Sequence, residues 1–408
     1  MGNPVISKVR RPGWLGISAL LTVAGLAACA AGPADGSSSV SPVEAGAPVS
    51  PTALTAAPTP TPDTAQRLAA LVDSLTPAQL AGQLIMIGLH DTDPATVLDG
   101  LAGQYGIGGV VLLGHWSGAQ VQPVADHLAG LATAGIRPYI AADQEGGQIQ
   151  RVKGDGVDVI PAATVQGTWA LLDLAAQARI WGTQLRAAGV DLDLAPVADT
   201  VPADLVGQNA PIGLLDRQFG STPDVTGPHA AAFVIGLTLA REMSCVKHFP
   251  GLGRVTENTD NSADGTTDAV MTATDPFLDA YRMALAAHPT MVMISLATYP
   301  GLDPAGPAVF SRAIVTDLLR GQLGWSGVVV SDSLSAAAVR GVPLDQRAVQ
   351  FVEAGGDIAI LTSVEQAHSG LDGLVAAMAA SPAFTAKVRA AALRVLTMKA
   401  AAGLLILA

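Results

Sequence analysis

The chain has little cysteine, little charge and few aromatic residues. Of its 408 residues, 2 are cysteine, 14% are charged and 4% are aromatic. Two cysteines cannot build a disulfide framework or a four-cysteine zinc site. Basic side chains are scarce: 22, against 34 acidic ones, give a formal net charge of −12. Phosphate contacts need clustered lysine and arginine, so the chain makes a poor nucleic-acid binder. Several catalytic patterns are also missing. Gly251-Leu-Gly253 lacks the Walker lysine and hydroxyl residue, and His248 has no histidine partner at zinc-type spacing, so no metal is expected. Gly-x-Ser-x-Gly is absent, and Gly114-His-Trp-Ser-Gly118 has the wrong spacing for it. What is plentiful is apolar residues, 50%, and glycine, 44 residues. That composition excludes global disorder and implies a large core with many tight turns.

The first residues read as an address. Lys8, Arg10 and Arg11 form a basic head, and Trp14 to Ala28 is apolar and free of charge. The order basic, apolar, small residues is that of a secretory signal spanning 1–28. The apolar run is short for a stable membrane span, which needs about 20 residues. Leu26-Ala27-Ala28-Cys29 resembles a bacterial lipobox, with Cys29 as the lipidated residue; the alternative is an ordinary signal peptide with an incidental cysteine. Lipidation would hold the protein on the extracytoplasmic face of the cell membrane. Cleavage before Cys29 would take the net charge from −12 to −15 by removing those three basic residues. Residues 29–63 are rich in Ala, Pro, Ser, Thr and Gly and have few large apolar side chains. Such a segment cannot offset the entropy of ordering and is expected to act as a tether.

From residue 64 to 408 a single domain is expected. Eight short apolar runs alternate with longer helical stretches: Leu84–Leu89, Gly109–Leu113, Pro138–Ala142, Val190–Leu194, Met243–His248, Thr290–Ser295, Gly327–Asp332 and Asp357–Thr362. The runs are continuous rather than alternating, as in parallel strands buried on both faces. Leu171–Ala188, Asp224–Arg241, Pro276–Ala287 and Arg312–Gln322 are among the intervening helical segments. The count points to a (β/α)8 TIM-like barrel, with an open doubly wound sheet as the alternative. Cys245, inside one of the runs, reads as a small buried hydrophobe.

The functional signal lies where the runs end. One ends at Asp143-Gln144-Glu145-Gly146-Gly147, another at Lys247-His248, another at Ser331-Asp332, and Val190–Leu194 carries Asp191 and Asp193. Any one of these charges can be a strand cap. In a barrel, several of them share the rim where catalytic groups sit. Asp143, Arg151, Arg217, Lys247 and His248 supply donors and acceptors suited to a neutral, hydroxyl-rich ligand, and Asp332 supplies a carboxylate able to attack an electrophilic carbon. Gly146-Gly147 allows a sharp turn, and Glu145 is expected to hydrogen-bond its own loop. Asn209 is placed to orient the segment before Arg217. Tyr299 either stacks on a sugar or packs in the rim, and His115 and Trp116 either line the mouth or pack in a surface loop.

Ala142-Asp-Gln-Glu-Gly-Gly-Gln-Ile-Gln-Arg151, Lys247-His-Phe-Pro-Gly251 and Val330-Ser-Asp-Ser-Leu334 resemble glycoside hydrolase family 3, in particular its single-domain bacterial β-N-acetylglucosaminidases. Asp193-Leu-Ala-Pro196, Arg217-Gln-Phe-Gly220 and Ser295-Leu-Ala-Thr-Tyr299 add to the likeness, which covers roughly residues 66 to 405. The resemblance implies a retaining hydrolase that removes terminal β-linked N-acetylglucosamine from wall-derived fragments without a cofactor. By motif position Asp332 is then the nucleophile, and Asp143, Arg151, Arg217, Lys247 and His248 grip the sugar. One departure stands out. Where these enzymes carry Asp-x-His, with the histidine as acid/base, this chain has Asn258-Thr259-Asp260. Asp260 is the candidate acid/base, with Glu257 and Asp264 as other acids on the same loop. The remaining alternatives are a sugar-binding lipoprotein without turnover, and a family 3 β-glucosidase or phosphorylase.

Overall fold

The computed structural model describes residues 61–407. The signal segment, Cys29 and the tether as far as residue 60 lie outside them. The described chain opens on a helix, Pro62–Ser74, with the Thr61 side chain as its N-cap and proline in its first turn. This helix starts two residues ahead of the boundary expected at residue 64.

Eight parallel strands close a barrel in sequential order: β1 (Ile85–His90), β2 (Gly109–Leu113), β3 (Tyr139–Ala142), β4 (Leu192–Asp193), β5 (Met243–Phe249), β6 (Met291–Ile294), β7 (Val328–Ser333) and β8 (Ile358–Leu361). β8 returns to pair with β1, Ile85 opposite Ala359, which closes the ring. All eight expected runs hold a strand, and the open-sheet alternative is excluded. β4 is shorter than its run, yet its pairing continues beyond both ends. Asp191 N donates to Ile140 O at 2.8 Å, and Leu194 N to Ala142 O at 2.8 Å.

Helices follow the strands on the outside. Leu171–Ala188 forms as expected, and Pro223–Ala240 starts at its proline and ends at Arg241, which takes a left-handed φ of 59°. Pro276–Ala287 contracts to Leu278–Ala286. Ala313–Gln322 winds in π rather than α turns; Leu323 N closes onto Leu318 O at 2.9 Å.

Side-chain alternation along the strands divides the core in two. Odd-numbered Tyr139, Ala141, Met243, Cys245, Met291 and Met293, with even-numbered Val328 and Val330, fill the barrel interior. Their neighbours Ile140, Val246, Val292 and Val329 pack outward against the helices. Cys245 is thus a fully buried interior residue, as expected. The C-terminal helix Pro382–Ala401 plugs one end: Val395 joins the interior cluster, and its carbonyl accepts from the Tyr139 hydroxyl at 3.1 Å. Lys399 from the same helix is fully buried, donates to Gln83 Oε1 at 2.9 Å and lies 4.7 Å from the Tyr139 ring centroid.

Candidate active site

The interior parity carries directly to the rim. Asp143 follows Tyr139 and Ala141 on the inward register of β3. Lys247 follows Met243 and Cys245 on β5, and Asp332 follows Val328 and Val330 on β7. Each is the next member of an inward-facing series, at the C-terminal end of its strand.

Lys247 is the hub. Its Nζ lies 2.7 Å from Asp143 Oδ1 and 2.6 Å from Glu145 Oε1, and it is fully buried. Glu145 also receives a two-pronged contact from Arg217, Nε to Oε2 at 2.8 Å and Nη2 to Oε1 at 2.7 Å. The third arm of Arg217 donates to Pro211 O at 2.7 Å. Arg151 stands beside this array. Its Nε is 3.8 Å from Asp143 Oδ2 and makes no hydrogen bond.

Burial alone would raise both carboxyls. It is outweighed for Glu145 by Arg217 and Lys247, which hold it down to about 2. For Asp143, Lys247 and Arg151 outweigh both burial and the neighbouring Glu145, holding it below the usual aspartate range. In turn these carboxylates overcome the desolvation of Lys247 and Arg217 and keep both cations charged. Glu145 therefore corrects the expectation of a loop hydrogen bond: its carboxylate is the counter-ion of two buried cations.

Local structure explains the placement. Gly146 has φ +104° and an added Cβ would sit 2.2 Å from Pro161 O, so only glycine permits the hairpin that turns the chain back after Glu145. Gln144 clamps that hairpin, donating to Val152 O at 2.7 Å and accepting from Val152 N at 3.1 Å. Asn209 orients the approach to Arg217. Its amide donates to Leu252 O and Val255 O, both at 2.7 Å, while its oxygen accepts from Ile212 N and Gly213 N.

His248 is held by a residue the sequence reading missed. Its Nδ1 is 2.7 Å from Asp199 Oδ2, and its Nε2 is 3.4 Å from Arg217 Nη2. Asp199 is fully buried, and its Oδ1 accepts from Tyr281 Oη at 2.7 Å, Leu252 N at 2.8 Å and His248 N at 3.3 Å. Burial opposes its charge, but His248 and these donors keep the carboxyl below its ordinary range. The available signal was a lone charge inside the apolar stretch Pro196-Val-Ala-Asp-Thr-Val201.

Asp332 is half-buried, and its Oδ1 accepts from Ser333 N at 2.7 Å. Among the described residues no cation lies within ion-pair distance of it. Facing it is the 258–260 loop. Thr259 O and Asp260 O accept from Ala338 N at 3.1 Å and Ala337 N at 3.2 Å, which ties the loop to the segment after β7. Asn258 Oδ1 accepts from Asp260 N at 2.9 Å and so shapes the turn. Desolvation at the rim, and next the Asp332 carboxylate, push the Asp260 carboxyl up to about 6 against the opposing pull of Arg217. Glu257 and Asp264 are exposed, and neither carboxylate pairs with another described residue.

Other expectations resolve less favourably for function. Asp191 and Asp193 alternate with the interior residues Leu192 and Leu194 and so do not join the rim. They accept from Ile140 N at 3.1 Å and Gln144 N at 3.2 Å and are structural. Tyr299 is fully buried, donating to Gly251 O at 2.9 Å, so it packs within the rim and offers no face for a sugar. Trp116 is buried and donates to Leu113 O at 2.8 Å, while His115 is exposed.

The comparisons with known proteins agree with this arrangement. Residues 79–398 match the model of the Glycosyl hydrolase family 3 N terminal domain. The chain belongs to this family. A β-hexosaminidase of Xylella fastidiosa (strain M23) is 35% identical over 274 residues, 65% of this chain and 79% of that protein. The family 3 relative β-hexosaminidase LpqI of Mycobacterium tuberculosis is 30% identical over 355 residues, 83% of this chain and 86% of that protein. Among solved structures, the β-N-acetylhexosaminidase from Beutenbergia cavernae aligns with a TM-score of 0.75 and 39% identity, covering 80% of this chain and 99% of that one.

Proposed function

We propose that the chain is a retaining exo-β-N-acetylglucosaminidase that cleaves terminal β-linked N-acetylglucosamine from peptidoglycan-derived fragments. The observation that carries the reading is Asp332: an inward-facing rim carboxylate with no counter-ion among the described residues, beside an array in which Lys247 and Arg217 are already neutralised. Two displacements follow. Asp332 Oδ attacks the anomeric carbon while Asp260 gives its proton to the departing glycosidic oxygen, which leaves as an alcohol and a covalent glycosyl-Asp332 ester. Asp260, now a carboxylate, takes a proton from water. The hydroxide equivalent attacks the same carbon, releases Asp332 and restores the starting configuration. A carboxyl that titrates near 6 can serve in both directions at neutral pH.

Asp143, Arg151, Lys247 and His248 bind the sugar hydroxyls, with Arg217 fixed behind them by Glu145. The acetamido preference and the β-linkage are carried over from the names of the relatives. The wall fragment as substrate rests on the motif resemblance together with the export and lipobox pattern ending at Cys29. Hydrolysis of 4-nitrophenyl N-acetyl-β-glucosaminide, abolished in Asp332→Ala, tests the reaction. Competition with the gluco analogue tests the sugar. Sugar binding without any turnover by the wild-type protein would favour a binding lipoprotein instead.

A further inference from the structure

We propose that Asp199 is a positioning residue that locks His248 as a hydrogen-bond acceptor toward the substrate. The inference rests on the glycosidase reading for its kinetic consequence only. An ionised carboxylate can only accept, so Asp199 Oδ2 at 2.7 Å requires the proton on His248 Nδ1. The other ring nitrogen, Nε2, faces Arg217 Nη2 at 3.4 Å. A guanidinium can only donate, so a second proton on Nε2 would oppose one N–H with another. His248 therefore presents its single Nε2 lone pair at the rim, where a sugar hydroxyl takes the place of the long 3.4 Å Arg217 contact and donates to it.

The carboxylate cannot turn to release this arrangement. Its second oxygen is held by Leu252 N at 2.8 Å and Tyr281 Oη at 2.7 Å, and both Asp199 and Tyr281 are buried. The unit crosses from the segment after β4 to β5 and to helix Leu278–Ala286, so three separate parts of the barrel fix one ring.

Asp199→Asn tests the assignment. Leu252 N–H can only donate, so the amide oxygen must keep facing it, and the NH2 group then faces His248 Nδ1. The variant should move the ring proton to Nε2. Ring nitrogen–proton correlation spectra of histidine-labelled full-length protein, with the His248 signals assigned by their loss in His248→Gln, read which nitrogen is protonated. In the wild type the proton is expected on Nδ1; in Asp199→Asn on Nε2, with kcat/KM down by about 10- to 100-fold, the loss of one buried charge-assisted hydrogen bond. Tyr281→Phe leaves the acceptor in place and should keep the wild-type pattern. A wild-type proton on Nε2 overturns the proposal, whatever Asp199→Asn does to folding. So does an Asp199→Asn protein with an unmoved proton or unchanged kcat/KM. The spectra need no turnover, so an inactive wild-type protein would sink the glycosidase reading alone.

Discussion

Glu145→Gln isolates the charge that holds the rim together. Glu145 is 5% exposed and lies 2.6 Å from Lys247 Nζ and 2.7 Å from Arg217 Nη2. Its carboxyl falls from an ordinary 4.5 to about 2 in the folded protein. A shift of that size is worth roughly 3 kcal/mol at neutral pH. Removing one partner of a buried ion pair costs about the same, 3–5 kcal/mol, because the other charge stays buried. The sign follows from the depressed value. The stabilisation is fully present above the unfolded carboxyl's titration and is lost as pH falls from about 4.5 toward about 2. Urea unfolding of wild type and Glu145→Gln at pH 7 and pH 3 reads the difference. The gap should be about 3 kcal/mol at pH 7 and clearly smaller at pH 3, where the wild type has lost much of its advantage. A gap below about 1 kcal/mol at pH 7, or one equal at both pH values, would refute the assignment of Glu145 as the counter-ion of Lys247 and Arg217.

Three further outcomes follow from the same geometry. Asp260 must be protonated to act as an acid, and its carboxyl is pushed up to about 6. Hydrolysis of an unactivated glycoside should therefore fall as pH rises above that value, and Asp260→Asn should slow it at least 100-fold and remove this limb; an unaltered profile would take Asp260 out of the role. Gly146→Ala forces a Cβ to 2.2 Å from Pro161 O at φ +104°. It should destabilise the protein by on the order of 2–3 kcal/mol, read as a lower urea midpoint, together with loss of activity. If Cys29 carries a lipid, Cys29→Ser should shift the protein from the membrane fraction to the soluble fractions; unchanged membrane partitioning would argue against that anchor.

How much of this was legible in the sequence depends on how local each feature is. The eight strands were readable because each is a short apolar run whose neighbours in the sheet supply burial on both faces. Asp143, Lys247 and Asp332 were readable because each ends such a run, and their inward direction follows from period-two alternation with Ala141, Cys245 and Val330. Asp191 and Asp193 sit in the same kind of run but in the opposite phase, so their charge alone misplaced them at the rim. Glu145 looked like a loop residue, because its partner Arg217 is 72 residues away. Asp199 went unseen because it meets His248 across 49 residues and Tyr281 across 82, contacts that no spacing rule carries. The family departure at Asn258-Thr259-Asp260 was plain in sequence. That Asp332 would crowd the replacing carboxyl emerged only once the loop was pinned to Ala337 and Ala338.

The central claim is that Asp332 attacks the sugar, and a covalent trap tests it most directly. Incubation with a 5-fluoro N-acetylglucosaminyl fluoride, followed by proteolysis and mass spectrometry, should give one glycosylated peptide with the label on Asp332. A label on any other carboxylate, or hydrolysis that inverts the anomeric centre and traps nothing, would contradict it.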